Sequence, residues 1–191
     1  MTKVLIVFHS RDGATETLAN AIADGARFEG GEIRMRCVVA SPSQDYEPPT
    51  EADAEWADAL IFGSPTRFGM PCPELLGYIL SLGDIWSDAK LAGKVGAAFT
   101  STSAPHGGNE ATILSLYNPM ANLGLIIVPL GYTDPAVMKG GTPYGASSVT
   151  CDRDAPPSLD ELQAAYSQGR RVAKVAKALT SVRMTETGSA P

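Results

Sequence analysis

The chain carries three polar segments whose residue types could hold an anion and a planar ring. The first has two hydroxyls and a glycine directly before a helical pattern, and such a turn can present backbone N–H groups to a phosphate. Its residues are Ser10, Arg11, Asp12, Gly13, Ala14 and Thr15. The absence of GK[ST] excludes a Walker nucleotide loop, and the absence of GxGxxG disfavours a standard dinucleotide turn. A plain strand-to-helix turn with Thr15 as N-cap explains the segment equally well.

The other two segments could surround the flat part of such a ligand. One is a rigid loop whose N–H groups can face a ring, Gly63-Ser64-Pro65-Thr66-Arg67-Phe68-Gly69. The other is dense in hydroxyls and glycines, Thr100-Ser101-Thr102-Ser103-Ala104-Pro105-His106-Gly107-Gly108-Asn109-Glu110. The competing interpretations are a tight turn with an exposed Phe68 and an ordinary surface histidine at His106. The other histidine, His9, is distant in sequence and the three cysteines form no CxxC pair, so we predict no metal site.

Five short apolar runs alternate with helical patterns and would position these segments. The runs span 4–8, 33–39, 59–62, 95–99 and 125–129, and the helices are predicted at 14–27, 51–57, 73–82, 110–122 and 159–180. This alternation predicts an α/β fold with a doubly wound, five-stranded parallel sheet and helices on both faces. Right-handed crossovers leave few topologies, among them the flavodoxin-like order 2-1-3-4-5. Since ligands of such sheets bind outside the carboxyl ends of the strands, the three segments should meet in one crevice.

The chain is predicted to form one domain over residues 1–180, followed by a flexible tail over 181–191. The last helix has a clear start, because Ser158 and Glu161 form a capping box after two prolines. The stretch 133–157 is long and rich in Gly, Pro and Ser, and loops of that length are usually functional or interface-forming.

Charge and hydropathy exclude several classes of partner. The chain has 15 basic and 21 acidic side chains and a net charge of −6, without the clustered Lys/Arg face that nucleic acid requires. No apolar run reaches the length of about 18 residues that spans a bilayer, so we expect no membrane insertion. The N-terminal apolar run is too short for a signal peptide, which predicts a cytoplasmic location.

Four sequence segments resemble the WrbA family of FMN-dependent NAD(P)H:quinone oxidoreductases. They are KVLIVFHSRDGATET, GSPTRFG, FTSTSAPHGGNEAT and GGTPYGAS, in the family's order. The resemblance implies a flavodoxin-like fold, non-covalent FMN, and two-electron reduction of a quinone with NADH or NADPH as the electron donor. It also implies a homo-oligomer, a tetramer in which neighbouring subunits help to close the flavin site.

The resemblance also assigns residues by matching positions. The segment from Ser10 to Thr15 would hold the FMN phosphate. The isoalloxazine would be lined by Pro65, Thr66, Arg67, Phe68 and Gly69. The pyrimidine side and the ribityl chain would be wrapped by Ser101, Thr102, Ser103, Ala104, Pro105, His106 and Gly107. Trp86 would form an aromatic wall for the quinone, with a core tryptophan as the competing interpretation.

Two positions depart from the family. Asp12 stands where relatives carry an aromatic residue that meets the nicotinamide, and Asn122 stands where relatives often have a histidine close to the flavin. No catalytic side chain is assigned, because the flavin carries the hydride chemistry. One crevice cannot hold donor and acceptor on the same flavin face together, so the implied mechanism is ping-pong.

Two other classes of function share this topology. The first is a non-enzymatic flavodoxin-type FMN electron carrier, which would need a strongly acidic face around the flavin. The second is a flavin-binding or phosphorylation-dependent regulatory protein. A response-regulator receiver would need an aspartate at the end of the third strand, where Gly63 and Ser64 stand.

Overall fold

The computed structural model describes residues 1–39, 45–151 and 155–186, without the side chains of 181–186. Strands and helices alternate along the chain as the sequence predicts. In chain order they are β1 (Lys3–Phe8), α1 (Ala14–Phe28), β2 (Glu32–Cys37), α2 (Glu51–Trp56), β3 (Ala59–Pro65), α3 (Pro73–Ser81), α4 (Gly83–Ser87), β4 (Val95–Thr102), α5 (Asn109–Asn122), β5 (Ile126–Ile127), α6 (Val137–Gly140), β6 (Ser147–Val149) and α7 (Leu159–Glu186).

The described strands form one parallel sheet in the order β2-β1-β3-β4-β5, which confirms the predicted topology. A sixth strand, β6, was not predicted and pairs with the last three residues of β4. β5 is shorter than predicted and pairs only with the first two residues of β4. The predicted loop 133–157 therefore contains a strand that continues the sheet beside the carboxyl half of β4.

β1 lies between β2 and β3 and buries side chains on both faces of the sheet. Val4, Ile6 and Phe8 pack with α1 and α7, whereas Leu5 and Val7 pack with α3 and α5 on the other face. This two-sided burial is why the strand is apolar at every position rather than at alternate ones. The sheet is thus held rigid beneath the loops that follow its strands.

The edge strand β2 has one face that is polar, as predicted. Its arginines, Arg34 and Arg36, bind the buried carboxylate of Asp53 in α2 at 3.0 Å. Burial alone would raise the pKa of Asp53, but hydrogen bonds from Arg36, Thr50 and Arg34 outweigh it and hold that pKa below its ordinary value. This network fixes α2 against the edge of the sheet.

Helices α1 and α7 cross so closely that their backbones are in contact. A Cβ at Gly25 would lie 2.0 Å from the carbonyl oxygen of Tyr166, and a Cβ at Gly169 would lie 1.9 Å from that of Ile22. Only glycine allows this approach. Because α1 begins at the first polar loop, the crossing fixes where its N-terminus points.

Helix α7 begins as predicted and is longer than predicted. The Glu161 N–H donates to Ser158 Oγ at 3.3 Å and the Ser158 N–H donates to Glu161 Oε2 at 2.6 Å, which confirms the capping box. The helix runs to Glu186, so the first part of the predicted tail is helical; residues 187–191 lie outside the described residues. No described helix is both long and apolar enough to cross a bilayer. A cytoplasmic location stays a prediction.

Candidate functional site

The three polar loops meet at the carboxyl edge of the sheet, around an open cleft of about 420 Å³. This is the convergence that the sequence predicts. All but one of the lining residues belong to the predicted set, and they are Arg11, Asp12, Ala14, Thr15, Pro65, Thr66, Arg67, Phe68, Ser101, Thr102, Ser103, Ala104, Gly107 and Thr150.

The first loop, residues 10–15, leads into the N-terminus of α1. Gly13 is the N-cap residue with φ of 91°, a left-handed conformation that side chains disfavour, and it offers no side chain to cap the helix. Within the described residues, no acceptor is found for the N–H groups of residues 11–15. A helix N-terminus with unpaired N–H groups attracts an anion through both hydrogen bonds and the helix dipole.

The two hydroxyls of this loop form hydrogen bonds within the protein. Ser10 Oγ accepts the Glu16 N–H at 3.2 Å, and Thr15 Oγ1 lies 2.8 Å from Ser101 Oγ. Both side chains are buried. The competing interpretation, in which Thr15 caps α1, is wrong, because Gly13 takes the N-cap position. The Thr15–Ser101 contact instead joins the first loop to the third.

The second loop forms a tight hairpin over residues 67–70. Arg67 and Met70 exchange backbone hydrogen bonds of 2.7 and 2.9 Å. Phe68 and Gly69 both have positive φ, 53° and 80°, as in a type I′ turn. A left-handed phenylalanine costs on the order of 1–3 kcal/mol, and its ring is fully exposed. Such strain and exposure make Phe68 a candidate for contact with a ligand.

The third loop begins inside β4, whose last residues are polar but buried. Thr100 Oγ1 donates to the Ser64 carbonyl at 2.7 Å, which satisfies the hydroxyl and extends the strand beyond its apolar run. Further on, the Gly107 N–H donates to the Ala104 carbonyl at 2.9 Å, and a Cβ at Gly107 would meet Thr102 Oγ1 at 2.0 Å. The loop therefore folds tightly against the cleft.

Several predicted residues lie in these loops without lining the cleft. Ser10, Gly13 and Gly69 shape the backbone, and Pro105 and His106 are exposed on the outer side of the third loop. Thr150, which follows β6, does line the cleft and was missed. Its strand is three residues long and mostly serine, so neither hydrophobic periodicity nor length could have revealed it.

Trp86 and Asn122 are not brought to the cleft of their own chain. They line a separate, mostly apolar groove of about 250 Å³, where Trp86 Nε1 donates to the Asn122 carbonyl at 2.8 Å. α5 starts beside the second loop, at Gly108, and ends beside the start of β4. At 1.5 Å per residue this helix spans about 20 Å, so the two residues lie at the opposite edge of the sheet.

Few charges line the cleft within the part of the chain that the structure describes. Arg11, Asp12 and Arg67 are the ionisable groups among its lining residues, and Arg11 and Asp12 form an ion pair at 3.2 Å. Behind the second loop, burial lowers the pKa of His9, opposed by the charge of Glu74 and aided by that of Arg67. The lining thus offers hydrogen-bond donors and hydroxyls rather than an acid–base pair.

The described residues were compared with the requirements of a metal site and of a reactive thiol. No group of three His, Cys, Asp or Glu side chains that could hold a metal ion occurs among them. Cys37 and Cys72 are buried and unpaired, and burial raises the pKa of both thiols, which disfavours the reactive thiolate form.

The cleft fits FMN on its own chemistry. The unpaired N–H groups at the N-terminus of α1 suit a phosphate, the exposed Phe68 ring suits a flat aromatic ring, and the hydroxyl-rich third loop suits a polyhydroxyl chain. The volume lies within the range of about 300–1,000 Å³ that small-molecule sites occupy.

Comparison with known proteins agrees with this geometry. The family model described as NADPH-dependent FMN reductase matches residues 2–133. A protein of Paracoccus denitrificans named NAD(P)H dehydrogenase (quinone) is 39% identical over 97% of this chain and 99% of its own length. One of the same name from Archaeoglobus fulgidus is 39% identical over 94% of this chain and 100% of its own length.

The solved structures similar to this chain define the class of fold. A flavodoxin, WrbA-like protein from Agrobacterium tumefaciens superposes with a TM-score of 0.72 and 25% identity, over 93% of this chain and 99% of that one. Flavodoxin 1 from Bacillus cereus, at 20% identity and a TM-score of 0.65, shows the same fold over 91% of this chain and 98% of that one. The fold is therefore flavodoxin-like. The chain belongs to the WrbA-like NAD(P)H dehydrogenase (quinone) family, within the NADPH-dependent FMN reductases.

Proposed function

We propose that this chain is an FMN-dependent NAD(P)H:quinone oxidoreductase. The observation that carries the proposal is the convergence of three loops on one cleft with a helix N-terminus at its base and an exposed aromatic ring at its mouth. The family's name supplies the substrate class, and the cleft supplies the means to bind a flavin.

The residues divide the work of holding FMN. The N–H groups of residues 11–15 bind the phosphate, the hairpin with Phe68 contacts the ring, and residues 101–107 surround the pyrimidine side and the ribityl chain. When bound, FMN supplies the two-electron chemistry that links a reduced nicotinamide to a quinone.

The protein's own contribution is positioning and electrostatics. N–H groups of the third loop that face the pyrimidine edge would stabilise negative charge there without moving. The Thr15–Ser101 hydrogen bond holds the first and third loops at a fixed separation. No proton transfer by a lining side chain is required, which agrees with a set of lining residues whose ionisable members are two arginines and one aspartate.

Steady-state kinetics test this function. The FMN-loaded protein should reduce p-benzoquinone with NADH or NADPH, and double-reciprocal plots at several quinone concentrations should be parallel, because the two substrates occupy one cleft in turn. Converging lines would contradict the shared site. Absence of turnover with every quinone would favour the electron-carrier alternative, although Asp12 is the only acidic side chain among the described residues that line the cleft.

The chain should also assemble with copies of itself, as a tetramer. In one chain the Trp86 groove lies far from the cleft, yet its tryptophan is half exposed and its Leu80 is 79% exposed. We propose that a neighbouring copy covers this groove and that Trp86 thereby reaches the quinone side of another copy's cleft.

Light scattering of the FMN-loaded protein at micromolar concentration measures the assembly directly. We expect a mass of four chains, each of 20.0 kDa. A monomeric mass would contradict the proposed role of Trp86, since the residue could then meet no flavin.

A further inference from the structure

Arg11 is a cationic side chain that lines the cleft, and most of its hydrogen-bond donors have no partner among the described residues. Its Nε donates to Asp12 Oδ1 at 3.2 Å, and both side chains are a little under half exposed. Within the described residues, its two terminal nitrogens have no partner. Those nitrogens form the planar fork that binds a phosphate oxygen pair.

The FMN phosphate has backbone donors in the same loop as Arg11. Among the described residues, the N–H groups of residues 11–15 are unpaired at the N-terminus of α1 and can bind this phosphate, and the Arg11 side chain is paired with Asp12. The guanidinium lines the cleft and is partly exposed, so it is available to a second ligand.

The electron donor brings charge that this protein would otherwise repel. Reduced nicotinamide dinucleotides carry a pyrophosphate, and NADPH carries a further phosphate on its ribose. The chain has a net charge of −6, and a local cation at the mouth offsets the repulsion between the protein and a polyanionic donor. Arg67 also lines the cleft. A backbone hydrogen bond is the main cause that lowers the pKa of Glu74, and the charge of Arg67 contributes to it, so that charge is partly compensated.

We propose that Arg11 recognises a phosphate group of the dinucleotide donor, and that Asp12 orients Arg11 while weakening its hold on that phosphate. The inference rests on the proposed function and assigns donor recognition within the same cleft. Asp12 acts through its hydrogen bond to Nε, which leaves the terminal nitrogens free, and its negative charge opposes the donor's own.

Substitution of each partner tests the proposal, because their effects should have opposite signs. Arg11→Met should raise the KM for the dinucleotide donor about tenfold, as expected for loss of a hydrogen bond to a charged group. Asp12→Asn keeps a polar partner and removes a charge, so it should lower that KM about threefold at low ionic strength. An ion pair with only a structural role would give changes in the same direction for both variants, and that outcome would overturn the proposal.

The choice of donor distinguishes the two sources of phosphate. A rise in KM for NADPH and NADH alike assigns Arg11 to the pyrophosphate, and a rise for NADPH alone assigns it to the ribose phosphate. Flavin reduction by dihydronicotinamide riboside, which has no phosphate, should be equal in Arg11→Met and the parent. If Arg11→Met slowed flavin reduction by this donor as much as reduction by NADPH, the proposal would be overturned.

Two controls distinguish a failure of the proposed role of Arg11 from a failure of the proposed function. Arg27→Met removes an arginine that is likewise exposed and paired with an aspartate, Asp24 at 2.9 Å, but lies at the far end of α1, and it should leave the KM unchanged. The dissociation constant for FMN should change less than twofold in Arg11→Met, and a tenfold increase would instead assign Arg11 to the FMN phosphate. If the parent shows no quinone turnover, the proposed function itself is wrong, whatever the variants do.

Discussion

Replacing Gly13 by valine should weaken FMN binding by about 30-fold, the equivalent of about 2 kcal/mol. Gly13 holds a left-handed φ of 91°, which a β-branched residue adopts only at a cost on the order of 1–3 kcal/mol. In the free protein the loop can shift to relieve this strain, but FMN binding requires the original conformation, so the cost appears in the dissociation constant. Crowding is not the cause, since nothing lies within 4 Å of a Cβ built at Gly13.

Gly30 provides a matched control for this substitution. It follows the other end of α1, has a φ of 82°, and also has nothing within 4 Å of a built Cβ. Gly30→Val should therefore introduce a similar backbone strain but leave FMN affinity unchanged, because Gly30 lies outside the loops that line the cleft. Titration of both apoproteins with FMN measures this, and equal affinities of the two variants would contradict the assignment of the phosphate to residues 11–15.

Trp86→Ala should raise the KM for quinone five- to tenfold while FMN affinity stays the same. A quinone is flat and apolar, and stacking against an indole contributes on the order of 1 kcal/mol beyond area burial, where about 1.4 kcal/mol is a factor of ten. Trp86→Phe keeps an aromatic face and loses only the hydrogen bond to the Asn122 carbonyl, so it should retain most of the parent's affinity for quinone.

The same variants distinguish a substrate contact from a structural one. A core tryptophan would cost about 3–5 kcal/mol when truncated, but Trp86 is 52% exposed in the single chain. Melting temperature, quinone kinetics and mass by light scattering should be measured together. A large fall in melting temperature with unchanged kinetics in a tetramer would show that Trp86 is structural.

The strand order and the cleft could be predicted because their signals are local. Runs such as 4–8 and 59–62 are apolar throughout, which only strands buried on both faces require, and parallel topology then brings the loops at their ends together. The loops 10–15 and 63–69 can be recognised from their glycine, proline and hydroxyl residues. Their chemistry follows from position at one edge of the sheet.

What could not be predicted depends on partners distant in sequence. β6 is too short and polar to be recognised alone, and it forms only because its backbone pairs with residues 100–102 of β4. Thr150 was missed for the same reason. The local pattern of Thr15 suggested an N-cap, but its hydroxyl bonds to Ser101 across the cleft, and the left-handed Gly13 takes the cap position. Trp86 lies at the far edge of the sheet because of how the helices pack, and no sequence motif predicts that position.

The most direct test of this account compares quinone reduction by the same protein with and without FMN. The apoprotein is prepared, reconstituted with FMN and freed of excess by gel filtration, and NADPH-dependent reduction of p-benzoquinone is measured for both samples. We expect one FMN retained per chain, and turnover in the reconstituted sample alone. Retention of no FMN, or equal rates in the two samples, would contradict the claim that this cleft is the flavin site of a quinone reductase.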